Sequence, residues 1–289
     1  MGRVLLIAAL AACSTAQSDP APARDGTFSK AAFAEHIAKV KQQLKAKKLD
    51  LNVRIEDPFV VIGDATPAAL ERSSGTVRWA ADHLEKDFFA KRPTKILDIY
   101  LFTTAASYER GVKTLTGESP TTPYGFYSST HGAMFMNIAT GGGTLVHEIV
   151  HPYVEADFPE APSWLNEGLG SLFEQSAERE GHIVGLTNWR LAGLQKTIKR
   201  NTLQSISTLA HLSHSAFYAD DSGTNYAQAR YLLYYMQEKG LLHDFYRAFR
   251  AARAKDPSGY ATLVSTLGER DMDDFKKRWE RYVAKLEFP

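Results

Sequence analysis

The sequence predicts an α+β fold with two lobes: an N-terminal lobe built on a mixed sheet, a mainly helical C-terminal lobe, and a cleft between them. Three observations carry that prediction. Over about residues 50–142, short β-branched and aromatic runs alternate with stretches of helical spacing. Over about residues 143–289, the apolar residues recur mostly at helical spacing between polar loops. The change falls at Gly141-Gly142-Gly143, three residues that let the chain turn sharply. Packing such halves against each other gives a layered α+β molecule.

The elements follow in order. Val4–Ala12 is almost wholly apolar behind Met1-Gly2-Arg3, too short to span a bilayer as a helix but suited to the core of a signal peptide over residues 1–12. Leu10-Ala11-Ala12-Cys13 resembles the bacterial lipobox, in which the cysteine takes a lipid and becomes the new N-terminus. Cleavage after Ala16, with Ser14 and Ala16 as the small flanking residues, is the competing reading. Both export the protein, to a bacterial periplasm, and the first adds a membrane contact through a lipid at Cys13. Residues 13–27, rich in Ala, Pro, Ser and Asp, read as a flexible tether, so the folded domain is 28–289. That length suits one bilobal domain rather than two.

Within the domain, Phe33, Ile37, Val40 and Leu44 set a helix over Phe28–Leu49, whose six lysines mark a solvated face rather than a membrane-surface helix. Val53–Ile62 reads as strand, broken by Asp57-Pro58. Thr66 as N-cap and Pro67 at the first helical position open a long helix to Phe89. Lys95–Thr103 is the clearest strand, followed by a helix over Ala105–Leu115. Gly125–Ser128 and Gly132–Ile138 are short strands around a polar turn.

Composition narrows the chemistry. The chain has 289 residues, 34 Lys+Arg against 33 Asp+Glu, and a net charge of +1, which gives no basic face for nucleic acid. An apolar fraction of 44% with 23% charged residues is ordinary for a globular protein and excludes wholesale disorder. The single cysteine forbids an internal disulfide and any cysteine-built metal site, so a metal would need His, Asp or Glu.

His147-Glu148-Ile149-Val150-His151 supplies such residues in an HExxH pattern. On a helix, residues four apart share a face, so both imidazoles can reach one cation with Glu148 beside it. Thr144 is the expected N-cap, and Pro152 is expected to kink or end the helix directly after His151. Two polar residues on a solvated helix would be the plainer reading. Leu145, Val146, Ile149 and Val150 argue against it, because they make the helix apolar and call for burial.

Downstream, Trp164-Leu165-Asn166-Glu167-Gly168-Leu169-Gly170-Ser171 matches the WLNEG segment of M1-type aminopeptidases, and with the HExxH the chain resembles the gluzincin metallopeptidases, the thermolysin-like and M1-type group. The best overall match is to the compact, peptidase MA-like domains of bacterial exported proteins, from about Leu97 to Pro289 by order of elements. That resemblance implies one Zn2+ ion per chain in the cleft, with His147, His151 and Glu167 as ligands and Glu148 as general base toward the zinc-bound water. A first-turn acid stabilised by the helix dipole is the plain alternative for Glu167. Glu174, seven residues on and hence on the same helical face, is expected to orient a metal-held imidazole from behind. In Asn225-Tyr226-Ala227-Gln228, Tyr226 matches the tyrosine that donates to the oxyanion in M1-type gluzincins, with a packing role as its alternative. His211 and His214 lie in a polar loop, where solvation is the usual role.

The chain also departs from the family. The interval from His151 to Glu167 is shorter, and Gly132-Ala133-Met134-Phe135-Met136-Asn137 lacks the glutamate of the amine-anchoring GAMEN motif, which favours an endopeptidase over an aminopeptidase. The expectation is therefore hydrolysis of peptide or protein substrates, with Gly132–Ile138 as a strand able to pair with an extended peptide. A metal-retaining lipoprotein without turnover, and a zinc amidase acting on cell-wall peptides, remain alternatives.

Overall fold

The computed structural model describes residues 28–220 and 222–288; the signal segment, Cys13 and the whole tether lie outside them. Helix α1 (Lys30–Ala46) starts at Ser29, whose hydroxyl accepts the Ala32 amide, and buries Phe33, Val40 and Leu44. The Val53–Ile62 region is a hairpin, β1 (Asn52–Glu56) antiparallel to β2 (Phe59–Gly63), folding back at Asp57-Pro58. Helix α2 (Pro67–Asp87) begins as expected, Thr66 capping the Ala69 amide with proline in the first turn. Then come β3 (Leu97–Phe102), α3 (Ala105–Thr116), β4 (Gly125–Ser128) and β5 (Ala133–Asn137).

The strands form one sheet in the order β1-β2-β3-β5-β4, parallel through β2, β3 and β5 and antiparallel at both edges. Its two faces follow the period of two in the sequence. Val60, Ile62, Tyr100, Phe102 and Phe135 pack with residues of α1 and α3. Phe59, Val61, Ile99, Leu101, Met134 and Met136 belong to the larger core, which continues through α2 into the helical lobe. Covered on both faces, the central strands need the near-continuous apolar runs they have. Strand β5 is hydrogen-bonded on both sides, by β3 and by β4. The Gly132–Ile138 strand therefore has no edge to offer a peptide, which corrects the sequence expectation; the edge beside it belongs to β4.

The helical lobe comprises α4 (Gly143–Asp157), α5 (Ser163–Phe173), a hairpin of β6 (Ser176–Arg179) and β7 (His182–Gly185), then α6 (Arg190–Lys199), α7 (Ile206–Ala210), α8 (His214–Tyr218), α9 (Thr224–Glu238), α10 (Leu242–Ala252), α11 (Tyr260–Leu267) and α12 (Met272–Val283). The β6–β7 hairpin turns at Glu180-Gly181, both with positive φ, the twist that suits a two-residue hairpin loop. Its four-residue strands carry almost no apolar alternation, so periodicity does not reveal them.

Two local expectations for α4 are corrected. Gly142, not Thr144, is the N-cap, and it makes no side-chain cap bond. A Cβ on Gly143 would stand 2.3 Å from the Glu174 carbonyl oxygen, so this turn requires glycine where α4 meets the end of α5. Nor does Pro152 end the helix, which runs on to Asp157. An interior proline costs about 3 kcal/mol through its missing N–H and ring clash. Two buried residues in the last turns of α4 offset that cost. Tyr153 is buried between Phe59 and Phe89, stacked on the latter at 5.6 Å, and donates to Glu85 of α2 at 2.6 Å. Asp157 is buried beneath α10, where it accepts from Tyr246 at 3.0 Å and pairs with Arg250.

Because the Asp157 carboxylate is wholly buried while Arg250 stays partly exposed, Asp157→Ala strands a tyrosine hydroxyl and half-frees a guanidinium. The expected loss is about 2–3 kcal/mol in a urea unfolding titration, below the full penalty for breaking a buried pair.

Candidate metal centre

Helices α4 and α5 bring the site together. Helix α4 presents His147, Glu148 and His151 on one face, and α5 contributes Glu167 from its second turn. The glycines of the Trp164–Ser171 segment make this approach possible. A Cβ on Gly170 would lie 3.0 Å from Cδ2 and Nε2 of His147. On the other side of α5, a Cβ on Gly168 would meet Leu233 at 2.9 Å and Ala229 at 3.3 Å, both on α9. One helix is thus thin on two faces, lying against the imidazole in front and α9 behind.

The donor atoms converge. His147 Nε2 lies 3.2 Å from Glu167 Oε2, and His151 Nε2 lies 3.9 Å from the same oxygen and 3.8 Å from Glu148 Oε2. One ligand atom each from His147, Glu148 and His151 fits within a 4.8 Å group able to hold a metal ion. His147, Glu148 and Glu167 are all under 9% exposed, so these charges face one another with little water between them.

Each side chain is fixed by a further contact. His151 Nδ1 meets Asn166 Oδ1 at 3.0 Å. An amide oxygen only accepts, so the imidazole carries its proton on Nδ1 and turns the Nε2 lone pair inward. Glu148 Oε2 accepts the Tyr127 amide of β4 at 2.9 Å. That amide is available because Tyr124 and Asn137 form a hydrogen-bonded pair across β4 and β5, so the alternation aims the backbone groups of Gly125 and Tyr127 outward. The edge strand of one lobe thus holds the acid of the other. Tyr218, at the end of α8, donates to Glu167 Oε1.

Electrostatics follow from this crowding. Burial would lower the His147 pKa, but the Glu167 hydrogen bond and the charges of Glu148, Glu167 and Glu174 outweigh it and raise it. Burial would raise that of Glu167, yet His151, His147 and Tyr218 together hold it low. For Glu148 burial wins: its pKa is raised, with the two histidines and the Tyr127 amide only partly offsetting the desolvation.

Glu174 does not touch an imidazole. Its carboxylate takes Arg190 through two hydrogen bonds, 2.9 Å from Nε and 3.2 Å from Nη2, and accepts Asn188 at 3.0 Å. It reaches His147 only as a charge, and His147 Nδ1 is buried without a hydrogen-bond partner among the described residues. The orienting contact expected of Glu174 is instead made by Asn166, to the other histidine. Arg190 lies 4.2 Å from the centroid of the Trp189 ring and 5.2 Å from that of Tyr226.

Tyr226 lines the same cleft, of about 1440 Å³, as His147, Glu148, His151 and Glu167. Burial, reinforced by Glu167, pushes its hydroxyl pKa far up, so it stays protonated at neutral pH. His214 also lines the cleft, whereas His211 turns away to the Ser207 carbonyl. Tyr231 is buried on α9 against Asn188. Sequence reasoning missed Tyr218, Arg190 and the contact made by Asn166. Asn166 stands inside the recognised segment; Tyr218 lies in a loop-like stretch with no spacing that marks it.

Residues 139–258 match a family model, DUF1570, described as a protein of unknown function. The matched span contains His147, Glu148, His151, Glu167 and Tyr226, while β1 to β5 lie before it. No curated protein matches the chain.

Alanine favours a helix over glycine by up to about 1 kcal/mol, so Gly170→Ala should leave the melting temperature near that of the wild type. Its methyl would press on the His147 ring, so a calorimetric metal titration should show affinity falling about tenfold or more. Unchanged affinity would mean that the close approach of α5 is immaterial to the site.

Proposed function

We propose that the protein is an exported, zinc-dependent metallopeptidase of the gluzincin type, acting on internal bonds of peptide or protein substrates. The observation that carries this reading is the convergence of His147 Nε2, His151 Nε2 and Glu167 Oε2, with Glu148 beside them in a cleft. The donor chemistry fits the ion: two imidazoles and a carboxylate suit zinc, and the buried carboxylates favour a cation. His147 Nε2 and Glu167 Oε2, 3.2 Å apart, and His151 Nε2, 3.9 Å from the same oxygen, would together hold the ion. When bound, the ion would lower the pKa of a coordinated water and polarise the scissile carbonyl.

The protein's own residues then divide the work. Glu148, with its pKa raised by burial, takes a proton from the attacking water and passes it to the leaving amine. The Tyr127 amide keeps one of its oxygens in place. Tyr226, which retains its proton, donates to the oxyanion that develops on the carbonyl oxygen. The outward backbone groups at Gly125 and the carbonyl of Tyr127 offer an extended substrate a strand to pair with, the role first expected of β5. Phe135, at the position of the GAMEN glutamate, packs with Tyr100 and Phe126 on the far face of the sheet, so β5 brings no amine-anchoring carboxylate to the cleft. This supports cleavage of internal bonds. Export through residues 1–12, with a lipid on Cys13 or cleavage after Ala16, belongs to the same proposal.

Digestion of a broad peptide library by the zinc-loaded protein tests the reading. Glu148→Gln should keep the metal and lose about 10²–10⁴-fold in kcat. Tyr226→Phe should lose about 10²-fold with the metal retained. Full cleavage by Glu148→Gln contradicts the mechanism. Metal binding without cleavage of any peptide would favour a non-catalytic binding protein, and cleavage confined to peptidoglycan would mark a cell-wall amidase.

A further inference from the structure

Glu167 has two carboxylate oxygens with different neighbours. Oε2 faces His147 and His151, at 3.2 and 3.9 Å, while Oε1 accepts the hydroxyl of Tyr218. Tyr218 stands outside both sequence motifs, at the C-terminal end of the short helix α8. It is 41% exposed, so its hydroxyl had water available; it turns inward to the carboxylate instead. Its backbone is held from behind. The preceding Phe217 is fully buried, and the Phe217 carbonyl accepts the Asn225 side-chain amide of α9 at 3.0 Å. Gln204 donates in turn to Asn225 Oδ1 at 2.7 Å. The ring of Tyr218 is flanked by His214, with centroids 4.7 Å apart, and by Tyr226 at 6.2 Å. The end of α8 and the start of α9 therefore present one tyrosine each to the same cleft, with different engagements: the Tyr218 hydroxyl is bonded to Glu167, while that of Tyr226 has no hydrogen bond to another described residue.

We propose that Tyr218 is the positioning residue of the third metal ligand. By occupying Oε1 it fixes the rotation of the Glu167 carboxylate and presents Oε2 alone to the cation, so that the glutamate binds through one oxygen. A carboxylate left to rotate would present either oxygen, or both, and would have to be ordered on binding; a site held in place beforehand does not bear that cost. The inference rests on the metal centre of the proposed function and not on its hydrolytic step. It gives the two tyrosines separate tasks: Tyr218 acts on the ligand and Tyr226 on the reacting carbonyl.

The test reads metal affinity rather than turnover. Zinc dissociation constants are measured by chelator competition for wild type, Tyr218→Phe, Tyr226→Phe, Glu167→Gln and the double variant Tyr218→Phe/Glu167→Gln, and the visible spectrum of the Co2+ form is recorded for each. Phenylalanine keeps the ring and its packing, and circular dichroism of the metal-free proteins checks the fold. Tyr218→Phe should weaken zinc binding about 10–100-fold and shift the Co2+ bands. Tyr226→Phe should stay within about twofold of the wild type, and in the Glu167→Gln background the loss of the Tyr218 hydroxyl should change affinity less than about twofold. Wild-type affinity in Tyr218→Phe, an equal loss in Tyr226→Phe, or the same loss in both Glu167 backgrounds would overturn the proposal. A protein whose zinc affinity depends on the Tyr218 hydroxyl yet cleaves no peptide would leave this inference standing and remove the hydrolase. A hydrolase whose Tyr218→Phe variant binds zinc normally would do the reverse.

Discussion

The whole arrangement depends on how closely α5 can approach α4. The HExxH helix alone provides two imidazoles and an acid; Glu167 comes from another backbone, and a Cβ at Gly170, 3.0 Å from the His147 ring, would crowd the approach that brings it to 3.2 Å. The same helix must also pack closely on α9, which Gly168 permits. A helix interior with two glycines is poor in intrinsic propensity, by about 1 kcal/mol at each. Burial of Trp164, Leu165, Leu169, Leu172 and Phe173 offsets that deficit, so packing rather than propensity holds α5 in place.

The sheet lobe is coupled to this centre through its edge. The antiparallel pairing of β4 with β5 sends the Tyr127 amide outward to Glu148 and leaves neighbouring backbone groups open to the cleft. Tyr153 binds Glu85 of α2, and Arg92 pairs with the same carboxylate, so α4 is tied to the sheet lobe on the side away from the metal centre. Asp157, Tyr246 and Arg250 anchor its far end to α10. A helix so held can carry Pro152 in its interior, and its histidines keep their spacing.

Much of this was legible in the sequence where one residue or one period decides the outcome. Thr66-Pro67 set the start of α2, near-continuous apolar runs set β2 and β3, and the HExxH pattern together with the WLNEG resemblance named side chains of which Glu167 comes within 4 Å of both histidines. The misreadings share a physical cause: they turn on which neighbour a group meets in space. Of the kink or end expected at Pro152, the end does not occur, because the burial of Tyr153 and Asp157 that carries the helix on cannot be read locally. The GAMFMN strand looked like a substrate edge because strand order, not strand pattern, decides which strand lies outermost. Glu174 lines the cleft from the C-terminal end of α5, but Arg190 claims its carboxylate. Tyr218 gave no local signal, since its position is set by Phe217 and Asn225 acting from outside either motif.

Everything proposed for the site requires that His147, His151 and Glu167 together hold one cation. The most direct measurement is the metal content of the purified protein after stripping, reloading with zinc and exhaustive dialysis, run beside His151→Ala. A three-ligand centre should retain close to one equivalent of zinc in the wild type and less than about a tenth of that in the variant. A wild type that retains no zinc, or a His151→Ala protein that retains a full equivalent, would contradict it.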